Sequence, residues 1–183
     1  MKTCQAVAKI CEKSQNGKIF AIERNGKRCK VLKQILRKNC NEVESNIEVI
    51  QSDFLSLNPQ DFDQVEYIVA DPTCSGSGTD TKKDDSEERL AKLANLQTMI
   101  LKHAFKFPKL KRIAYSTCSV NQEENENVVE EILKHVEGRF ELVQAMPNWS
   151  RRGVQGYEQC LRVDPTSDLC TGFFVAVFEK IGS

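Results

Sequence analysis

The chain has 183 residues, of which 26 are basic and 26 acidic, so its formal net charge is zero. This length is enough for one domain with a sizeable hydrophobic core. A balanced charge is not typical of proteins that bind nucleic acid through bulk electrostatic attraction, although a local basic face would still permit such binding. No apolar run approaches the roughly 20 residues of a membrane span. The first residues lack the apolar segment of a signal peptide, so we expect an intracellular protein.

Short apolar runs alternate with helical periods along the chain. We predict helices over residues 3–13, 26–39, 86–106 and 121–136. We predict strands over residues 18–23, 47–51, 65–71, 111–117, 139–145 and 172–180. In the second helix, Val31, Leu32, Ile35 and Leu36 are expected to face inward. Ser119 and Gln122 have the spacing of a capping box at the start of the fourth helix.

This alternation predicts an α/β fold, with a mostly parallel sheet covered by helices on both faces. No helix separates the last two predicted strands, so one of them is expected to be antiparallel. We predict a single domain over residues 1–183, with a polar surface insertion at 79–89.

The eight cysteines do not form the patterns of a metal site or a disulfide framework. No two of them are spaced as C-x-x-C, which argues against zinc, and we expect no metal. A chain of this size without an export signal rarely carries a disulfide framework. Most of these thiols are therefore expected to be reduced and packed, as Cys29 is within a predicted helix.

Polar residues follow four of the predicted strands. Glu23, Asp53 and Asp71 come at or after the ends of the first three strands, while Cys74 and Cys118 follow the third and fourth. In parallel sheets, ligands bind beyond the carboxyl ends of the strands. We therefore expect three carboxylates and two thiols to converge on one rim of the sheet.

Each of these residues also has an ordinary structural interpretation. Glu23 is either a solvated strand end or an acceptor for ribose hydroxyls. Asp53 and Asp71 have the positions of turn residues, and the Ser-Gly-Ser-Gly run at 75–78 is compatible with a flexible loop. Cys118 alone would more often be a packed, inert thiol.

Spacing excludes two other kinds of cysteine chemistry. A phosphatase of the C-x5-R type would need arginine at the positions of Asp80 or Glu124. A cysteine hydrolase needs a histidine base, and both histidines of the chain, His103 and His135, lie on predicted helices.

Two thiols and a carboxyl group do match methylation of cytosine at carbon 5. That carbon becomes nucleophilic when a thiolate adds to carbon 6, and a second group must then assist release of the sulfur. Cys118, Cys74 and Asp71 would supply this set. A base held in a stack must also be extruded to react.

Two motifs make the sequence resemble a known family. Residues 71–78, Asp-Pro-Thr-Cys-Ser-Gly-Ser-Gly, look like the D-P-[PS]-C-S-G motif of the Sun-domain (NSUN) RNA cytosine-5 methyltransferases. Residues 115–119, Tyr-Ser-Thr-Cys-Ser, followed by Glu-Glu-Asn at 123–125, look like the second motif of that family. Residues 172–176 look like its closing strand, and the chain is most similar to the eukaryotic branch that modifies large-subunit ribosomal RNA.

The resemblance implies a Rossmann-like class I fold that uses S-adenosylmethionine. It implies that Cys118 is the nucleophile and that Cys74 assists product release; the opposite assignment, as in DNA cytosine methyltransferases, is an open alternative. Glu23, Arg28, Asp53 and Asp71 match the cofactor-binding positions of the family. The implied partner is RNA, in a nuclear or nucleolar location.

The family pattern places a strand and a glycine-rich loop before the first helix, and Met1-Lys2-Thr3 looks like the tail of that loop. Lys2 is thus a candidate cofactor residue, and we expect the chain to be a truncated domain that lacks the first strand. An alternative is a catalytically inactive remnant that only binds RNA or a ribosomal partner. Residues available for such binding are Lys27, Arg28, Lys30, Lys33, Arg37, Lys38, Trp149, Arg151 and Arg152, although a solvated surface is the commoner role of such residues.

Overall fold

The described part of the computed structural model consists of residues 17–39, 47–79 and 86–182. The chain divides into two compact units, residues 1–58 and residues 59–183. The single domain over residues 1–183 stays a prediction. Within the described ranges, no helix has the length and apolarity that a membrane crossing requires.

The described residues of the first unit form two parallel strands, with a helix between them in the sequence. Strand β1 spans Ile19–Ile22, helix α1 spans Gly26–Asn39 and strand β2 spans Ile47–Ile50. Ile19 pairs with Ile47 at the start of the two strands. These three elements confirm the sequence predictions, whereas the predicted helix over 3–13 lies outside the described residues.

Helix α1 begins where a side chain caps its first backbone donors. The Oδ1 atom of Asn25 accepts hydrogen bonds from the N–H groups of Lys27 and Arg28, at 3.0 and 3.1 Å, as expected of an N-cap asparagine. Cys29 is buried, as predicted, but Val31 is 51% exposed, so its predicted inward orientation is wrong. Two residues along a helix amount to a rotation of about 200°, which turns Val31 away from the buried face that holds Cys29.

The described residues of the second unit form five strands and two α-helices. The strands are β3 (Tyr67–Ala70), β4 (Arg112–Thr117), β5 (Phe140–Val143), β6 (Leu161–Val163) and β7 (Phe173–Lys180). The helices are α2 (Glu87–Ala104) and α3 (Glu126–Val136). All but β6 were predicted from the sequence, and β6 was missed because three residues are too few to show a periodic pattern.

The sheet of the second unit has the order β3-β4-β7-β5, with β6 also paired to β7. Strands β3 and β4 are parallel, while β4, β5 and β6 are each antiparallel to β7. Four of these five strands therefore run in one direction and β7 runs against them. The predicted mostly parallel α/β sheet with a late antiparallel strand is confirmed.

The core of this unit lies around the two central strands. Phe174 and Phe178 of β7 are fully buried, as is Tyr115 of β4. The ring of Phe105, just after α2, meets that of Phe178 edge-on at 5.6 Å. Each such buried aromatic side chain stabilises the fold by roughly 1.5–3 kcal/mol. Strand β3, which pairs with β4 alone among the described strands, leaves Tyr67 64% exposed.

Helix α3 begins later than the sequence pattern indicated. A 3-10 turn at Gln122–Glu124 precedes it, and Asn125 occupies the N-cap position. The predicted capping box is therefore wrong. The Ser119 hydroxyl accepts instead from the N–H of Asn121, within the loop that follows β4.

Candidate active site

The two cysteine motifs meet at one edge of the sheet. Cys118 directly follows β4, and Cys74 lies four residues beyond the end of β3. Ala70 pairs with Tyr115 in the parallel register, so the carboxyl ends of both strands reach the same edge. The Sγ atoms of Cys74 and Cys118 are 3.0 Å apart. The predicted convergence of the two thiols is thus present in the fold.

The surroundings of the two thiols differ. Cys74 is buried, whereas Cys118 is partly exposed. Burial, and next the hydrogen bond with Cys118, raises the pKa of the Cys74 thiol to about 12. Cys74 therefore keeps its proton at neutral pH and can donate it in a hydrogen bond to the Cys118 sulfur. The thiol that a substrate can reach is Cys118.

Asp71 lies on the solvent side of the same edge. It follows β3 directly, and its Oδ1 atom accepts a hydrogen bond from the hydroxyl of Ser116 at 3.2 Å. Its side chain is exposed, so the carboxylate retains acceptor positions for a ligand. Asp71, Cys74 and Cys118 thus form one set of candidate residues in the second unit.

A cluster of serine hydroxyls joins the two cysteine segments, which we define as residues 71–79 (the Cys74 segment) and 117–121 (the Cys118 segment). The Ser119 hydroxyl lies 3.2 Å from that of Ser75 and 3.1 Å from that of Ser77. Ser75 is fully buried. The interpretation of the Ser-Gly-Ser-Gly run as a flexible loop is therefore wrong, since the side chains of Ser75 and Ser77 form hydrogen bonds within the site.

Two glycines bring three backbone segments together beside these serines. The N–H of Gly78 donates to the carbonyl of Cys118 at 3.0 Å, and the carbonyl of Gly78 accepts from the N–H of Gly172 at 2.7 Å. A Cβ atom on Gly78 would lie 2.5 Å from the Gly172 oxygen. Only glycine permits this approach, and Gly78 thereby links the backbone at Cys118 to the backbone at Gly172.

Two acids of the first unit form a separate set. Glu23 follows β1, its Oε1 atom accepts from the N–H of Asn25 at 2.8 Å, and its Oε2 atom pairs with Arg28 at 3.0 Å. Asp53 follows β2, and its Oδ1 atom accepts from the N–H of Leu55 at 3.0 Å, as a cap of a short 3-10 turn. Because β1 and β2 are parallel, both acids lie beyond the same edge of the pair.

These acids suit the chemistry of a nucleoside ligand. Carboxylates at this place in a parallel sheet accept hydrogen bonds from ribose hydroxyls, and each carboxylate has more acceptor positions than its protein contacts use. Arg28 is 74% exposed along its side chain and holds Glu23 in place. Lys2, the remaining candidate for the cofactor, lies outside the described residues. That both sets share one rim stays a prediction.

The sequence matches a family model described as 16S rRNA methyltransferase RsmB/F over residues 2–179. The chain belongs to the RsmB/F methyltransferase family. It is 43% identical, over 176 residues, to a mouse 28S rRNA (cytosine-C(5))-methyltransferase, covering 90% of this chain and 37% of the relative. It is also 43% identical, over 197 residues, to the 26S rRNA (cytosine-C(5))-methyltransferase nsun-5 of Caenorhabditis elegans, covering 100% of this chain and 44% of the relative.

Solved structures agree with this assignment at the level of the fold. The structure of NSun6 from Pyrococcus horikoshii with SFG superposes with a TM-score of 0.80 at 22% identity, over 97% of this chain and 44% of that one. The predicted Rossmann-like methyltransferase fold is confirmed. The chain spans less than half the length of the mouse and nematode relatives.

From the sequence, no role was assigned to the polar residues buried beside the RsmB/F cysteine motifs, although Glu124 and Asn125 belong to the Glu-Glu-Asn run of the second motif. Four such residues are fully buried: Gln97, Glu124, Asn125 and Glu126. Periodicity offered a signal, because Gln97 is four residues before Leu101, and Glu124 four before Val128, on stripes that are otherwise apolar. A polar residue on a buried stripe predicts a specific hydrogen-bond partner.

Glu126 holds the arginine that contacts the Cys118 segment. Its carboxylate accepts two hydrogen bonds from the guanidinium of Arg162, one of them 2.6 Å from Nε to Oε1. Arg162 also donates to the carbonyl of Val120 at 2.9 Å. The short strand β6 is thereby tied to the residues just after Cys118.

Three of the residues considered for RNA binding have internal partners instead. Trp149 donates to the carbonyl of Arg162 at 2.9 Å, and Arg151 forms an ion pair with Asp168 at 2.8 Å. The guanidinium of Arg152 donates to backbone carbonyls; these belong to Ala145, Met146, Trp149, Glu158 and Gln159. These three residues are thus held by contacts within the protein and are not simply solvated as the alternative supposed, whereas the lysines of α1 are exposed.

Proposed function

We propose that this chain carries the site of an enzyme that methylates carbon 5 of cytosine in RNA, using S-adenosylmethionine. The observation that carries the proposal is the 3.0 Å contact between the thiols of Cys74 and Cys118, one buried and one accessible, at the carboxyl ends of two parallel strands. Membership of the RsmB/F family supports the reaction. The names of the mouse and nematode relatives support large-subunit ribosomal RNA as the substrate.

The reaction starts at Cys118. Its thiolate forms a bond to carbon 6 of the cytosine, and the electrons of the 5,6 double bond move toward carbon 5, which becomes nucleophilic. Bound S-adenosylmethionine would supply an electrophilic methyl group, whose bond to the sulfonium sulfur would break with release of S-adenosylhomocysteine. After the new bond to carbon 5 forms, that carbon loses its proton to water or a neighbouring base, the double bond returns, and the Cys118 sulfur leaves with its electron pair.

Cys74 is assigned to the release step. Its thiol keeps a proton because burial raises its pKa to about 12, and it lies within hydrogen-bond distance of the sulfur that must leave carbon 6. A donor at this place stabilises the departing thiolate. The opposite assignment would require the buried, protonated thiol to be the nucleophile, and only the thiolate form attacks.

Asp71 is assigned to the cytosine ring. A carboxyl group can accept from the exocyclic amine and, when protonated, donate to ring nitrogen 3, which draws electrons from carbon 6 and favours addition. The exposed side chain and the link to Ser116, two residues before the nucleophile, support this role.

Glu23, Arg28 and Asp53 are assigned to the cofactor. Glu23 and Asp53 would accept hydrogen bonds from the nucleoside part, while Arg28 would orient Glu23 through their ion pair. Lys2 is retained as a candidate from the sequence alone. An RNA substrate of this class places the expected activity in the nucleolus of a eukaryotic cell.

The test is the trapping of a covalent protein–RNA adduct. The wild-type chain, Cys74→Ala, Cys118→Ala and the double variant are each incubated with S-adenosylmethionine and a large-subunit rRNA transcript, then run on a denaturing gel. We expect a slow-migrating band for Cys74→Ala alone, because methylation proceeds and release fails. A small-subunit rRNA transcript is the control for the class of RNA.

The other outcomes are distinct. A band for Cys118→Ala and none for Cys74→Ala would reverse the two roles. RNA binding on a native gel, with neither an adduct nor methyl transfer by any form of the chain, would overturn the proposal in favour of a binding protein.

A further inference from the structure

Two consecutive buried residues, Glu124 and Asn125, each contact one of the two cysteine segments. Both are fully buried, at the end of the 3-10 turn that leads into α3. Neither belongs to the predicted set of site residues. Their contacts, together with those of the buried Gln97, fall on the residues that flank Cys74 and Cys118.

Glu124 holds the Cys74 segment. Its Oε1 atom accepts from the N–H of Ser75 at 2.8 Å and from the side-chain amide of Gln97 at 2.9 Å. The same amide nitrogen of Gln97 donates to the carbonyl of Thr73 at 3.1 Å. The residues on both sides of Cys74 are thus held by one pair of side chains.

Asn125 holds the Cys118 segment in the same manner. Its Oδ1 atom accepts from the hydroxyl of Thr117 at 2.6 Å, and its Nδ2 atom donates to the carbonyl of Ser119 at 2.9 Å. The residues on both sides of Cys118 are again the ones contacted. In both Thr-Cys-Ser triplets, the threonine and the serine on either side of the cysteine are therefore hydrogen-bonded to buried side chains.

The hydrogen bonding of Glu124 is incomplete within the described residues. Its Oε2 atom is buried and has no hydrogen-bond partner, and native proteins keep few such groups. The hydroxyl of the buried Tyr115 donates a hydrogen bond to the backbone carbonyl of Glu124 at 2.6 Å. Burial first, and then the charge of Glu124, raises the pKa of Tyr115, so this donor keeps its proton.

We propose that Glu124 and Asn125 are positioning residues for different steps of the reaction. Glu124, with Gln97, positions Cys74 for release of the methylated product. Asn125 positions Cys118 for addition to the cytosine. This inference rests on the proposed function, because it divides the two steps of that mechanism between the two residues.

The experiment measures adduct and product separately. Glu124→Ala, Asn125→Ala and Val128→Ala are compared with the wild-type chain and Cys74→Ala, on a denaturing gel and by single-turnover methylation of the large-subunit rRNA transcript. For Glu124→Ala we expect the adduct to rise at least about fivefold, toward the level of Cys74→Ala. For Asn125→Ala we expect adduct and product to fall together at least about tenfold, also in a Cys74→Ala background.

Val128→Ala is the control for lost stability. Val128 is buried on α3, the helix that directly follows Glu124 and Asn125, and it is a purely apolar side chain. We expect its melting temperature to fall without a change in the ratio of adduct to product. Glu124→Gln is the conservative variant, because its amide oxygen can still accept from Ser75 and Gln97; it should restore release.

Several results would overturn the inference. If Glu124→Ala lowers adduct and product in parallel, as a loss of folded protein would, Glu124 has only a structural role. If Glu124→Ala does not melt cooperatively, the adduct is measured with Gln97→Leu instead, which removes the donor to the Thr73 carbonyl. Accumulation of adduct in Gln97→Leu supports the inference, and its absence rejects the inference. If an adduct forms with Cys118→Ala and not with Cys74→Ala, the assignment of the two steps is overturned; if neither variant forms an adduct, the proposed function itself fails, and the two results are distinguishable.

Discussion

The Sγ atoms of Cys74 and Cys118 lie 3.0 Å apart although 44 residues separate them in the chain. The parallel pairing of β3 with β4 produces this contact, because it brings the ends of both strands to one edge. Their environments differ more than their local sequences do. Cys74 is buried and its pKa is raised to about 12, while Cys118 is partly exposed.

This difference predicts selective alkylation. Iodoacetamide reacts with thiolates, and a pKa of about 12 leaves Cys74 with a thiolate fraction of about one in ten thousand at pH 8. We expect Cys118 to be modified at pH 8 while Cys74 is protected, and reaction at Cys74 to increase about tenfold per pH unit up to its pKa. Peptide mass spectrometry over a pH series measures both rates.

Two other cysteines serve as internal controls for that experiment. Cys170 is exposed and should react readily, whereas Cys160 is buried and burial raises its pKa to about 12, so it should remain unmodified in the folded chain. Equal rates at Cys74 and Cys118 would contradict the assignment of Cys118 as the accessible nucleophile.

Gly78→Ala is expected to destabilise the site. The new Cβ would lie 2.5 Å from the Gly172 oxygen, and the obstacle is backbone that cannot rotate away. We expect a loss of about 2–3 kcal/mol in the free energy of unfolding, together with loss of adduct formation by Cys118. Urea denaturation and the adduct gel measure the two effects.

Gly156→Ala is the matched control. Nothing lies within 4 Å of the position that its new methyl group would take, but its φ of 89° is left-handed, so the cost should be about 1–2 kcal/mol from backbone strain alone. Adduct formation should persist in this variant. A smaller loss at Gly78 than at Gly156 would show that the backbone of the site can shift to admit a side chain.

The buried ion pair of Glu126 with Arg162 predicts a large effect of removing one partner. Arg162→Met removes the two charged donors of the fully buried Glu126 carboxylate and leaves it only the N–H of Val154 at 3.3 Å. Breaking such a pair typically costs about 3–5 kcal/mol. Lys134→Met breaks an exposed pair with Glu130 and should change stability by less than about 0.5 kcal/mol. Similar midpoints in urea for both variants would contradict this account.

The cofactor assignment predicts a thermal shift that depends on Glu23. If the wild-type chain binds S-adenosylmethionine, a concentration 100-fold above the dissociation constant adds about 2.7 kcal/mol to its free energy of unfolding. We expect Glu23→Ala to abolish the rise in melting temperature, because the carboxylate that accepts from the ribose is lost. Glu48→Ala removes an exposed acid from the same pair of strands and should leave the rise intact.

An unchanged shift in Glu23→Ala would reject its assignment to the cofactor. Asp53→Ala is then informative, since its carboxylate lies beyond the same edge of the strand pair. Retention of the shift in both variants would remove the first unit's acids from the proposed site.

Much of the fold was predictable because local patterns encode local structure. The limits of α1 agree with the prediction over 26–39, since a helical period and an N-capping asparagine are both local signals. Strands β1, β3, β4 and β7 were found from short apolar runs. Strand β6 was not predicted, because its three residues become a strand only through pairing with β7.

The candidate site was only partly predictable. The motifs around Cys74 and Cys118 identified the thiols, and the parallel arrangement implied that they meet. The hydrogen bond from the N–H of Ser75 to Glu124 was not predicted, because it joins residues 49 positions apart. The contact between Gly78 and Gly172 likewise joins residues that are distant in sequence. The partners of Arg152 lie within seven residues of it, but they are backbone carbonyls of an irregular loop, which periodicity does not describe.

The sequence by itself determined the elements of the fold, the family and the identity of the two cysteines, because periodicity, capping and motif spacing are properties of neighbouring residues. The tertiary structure alone decided which thiol is buried and protonated. It also decided that Glu124 and Asn125 each hold one cysteine segment. These hydrogen-bond partners are paired across 8 to 49 residues of chain, and no local pattern identifies them.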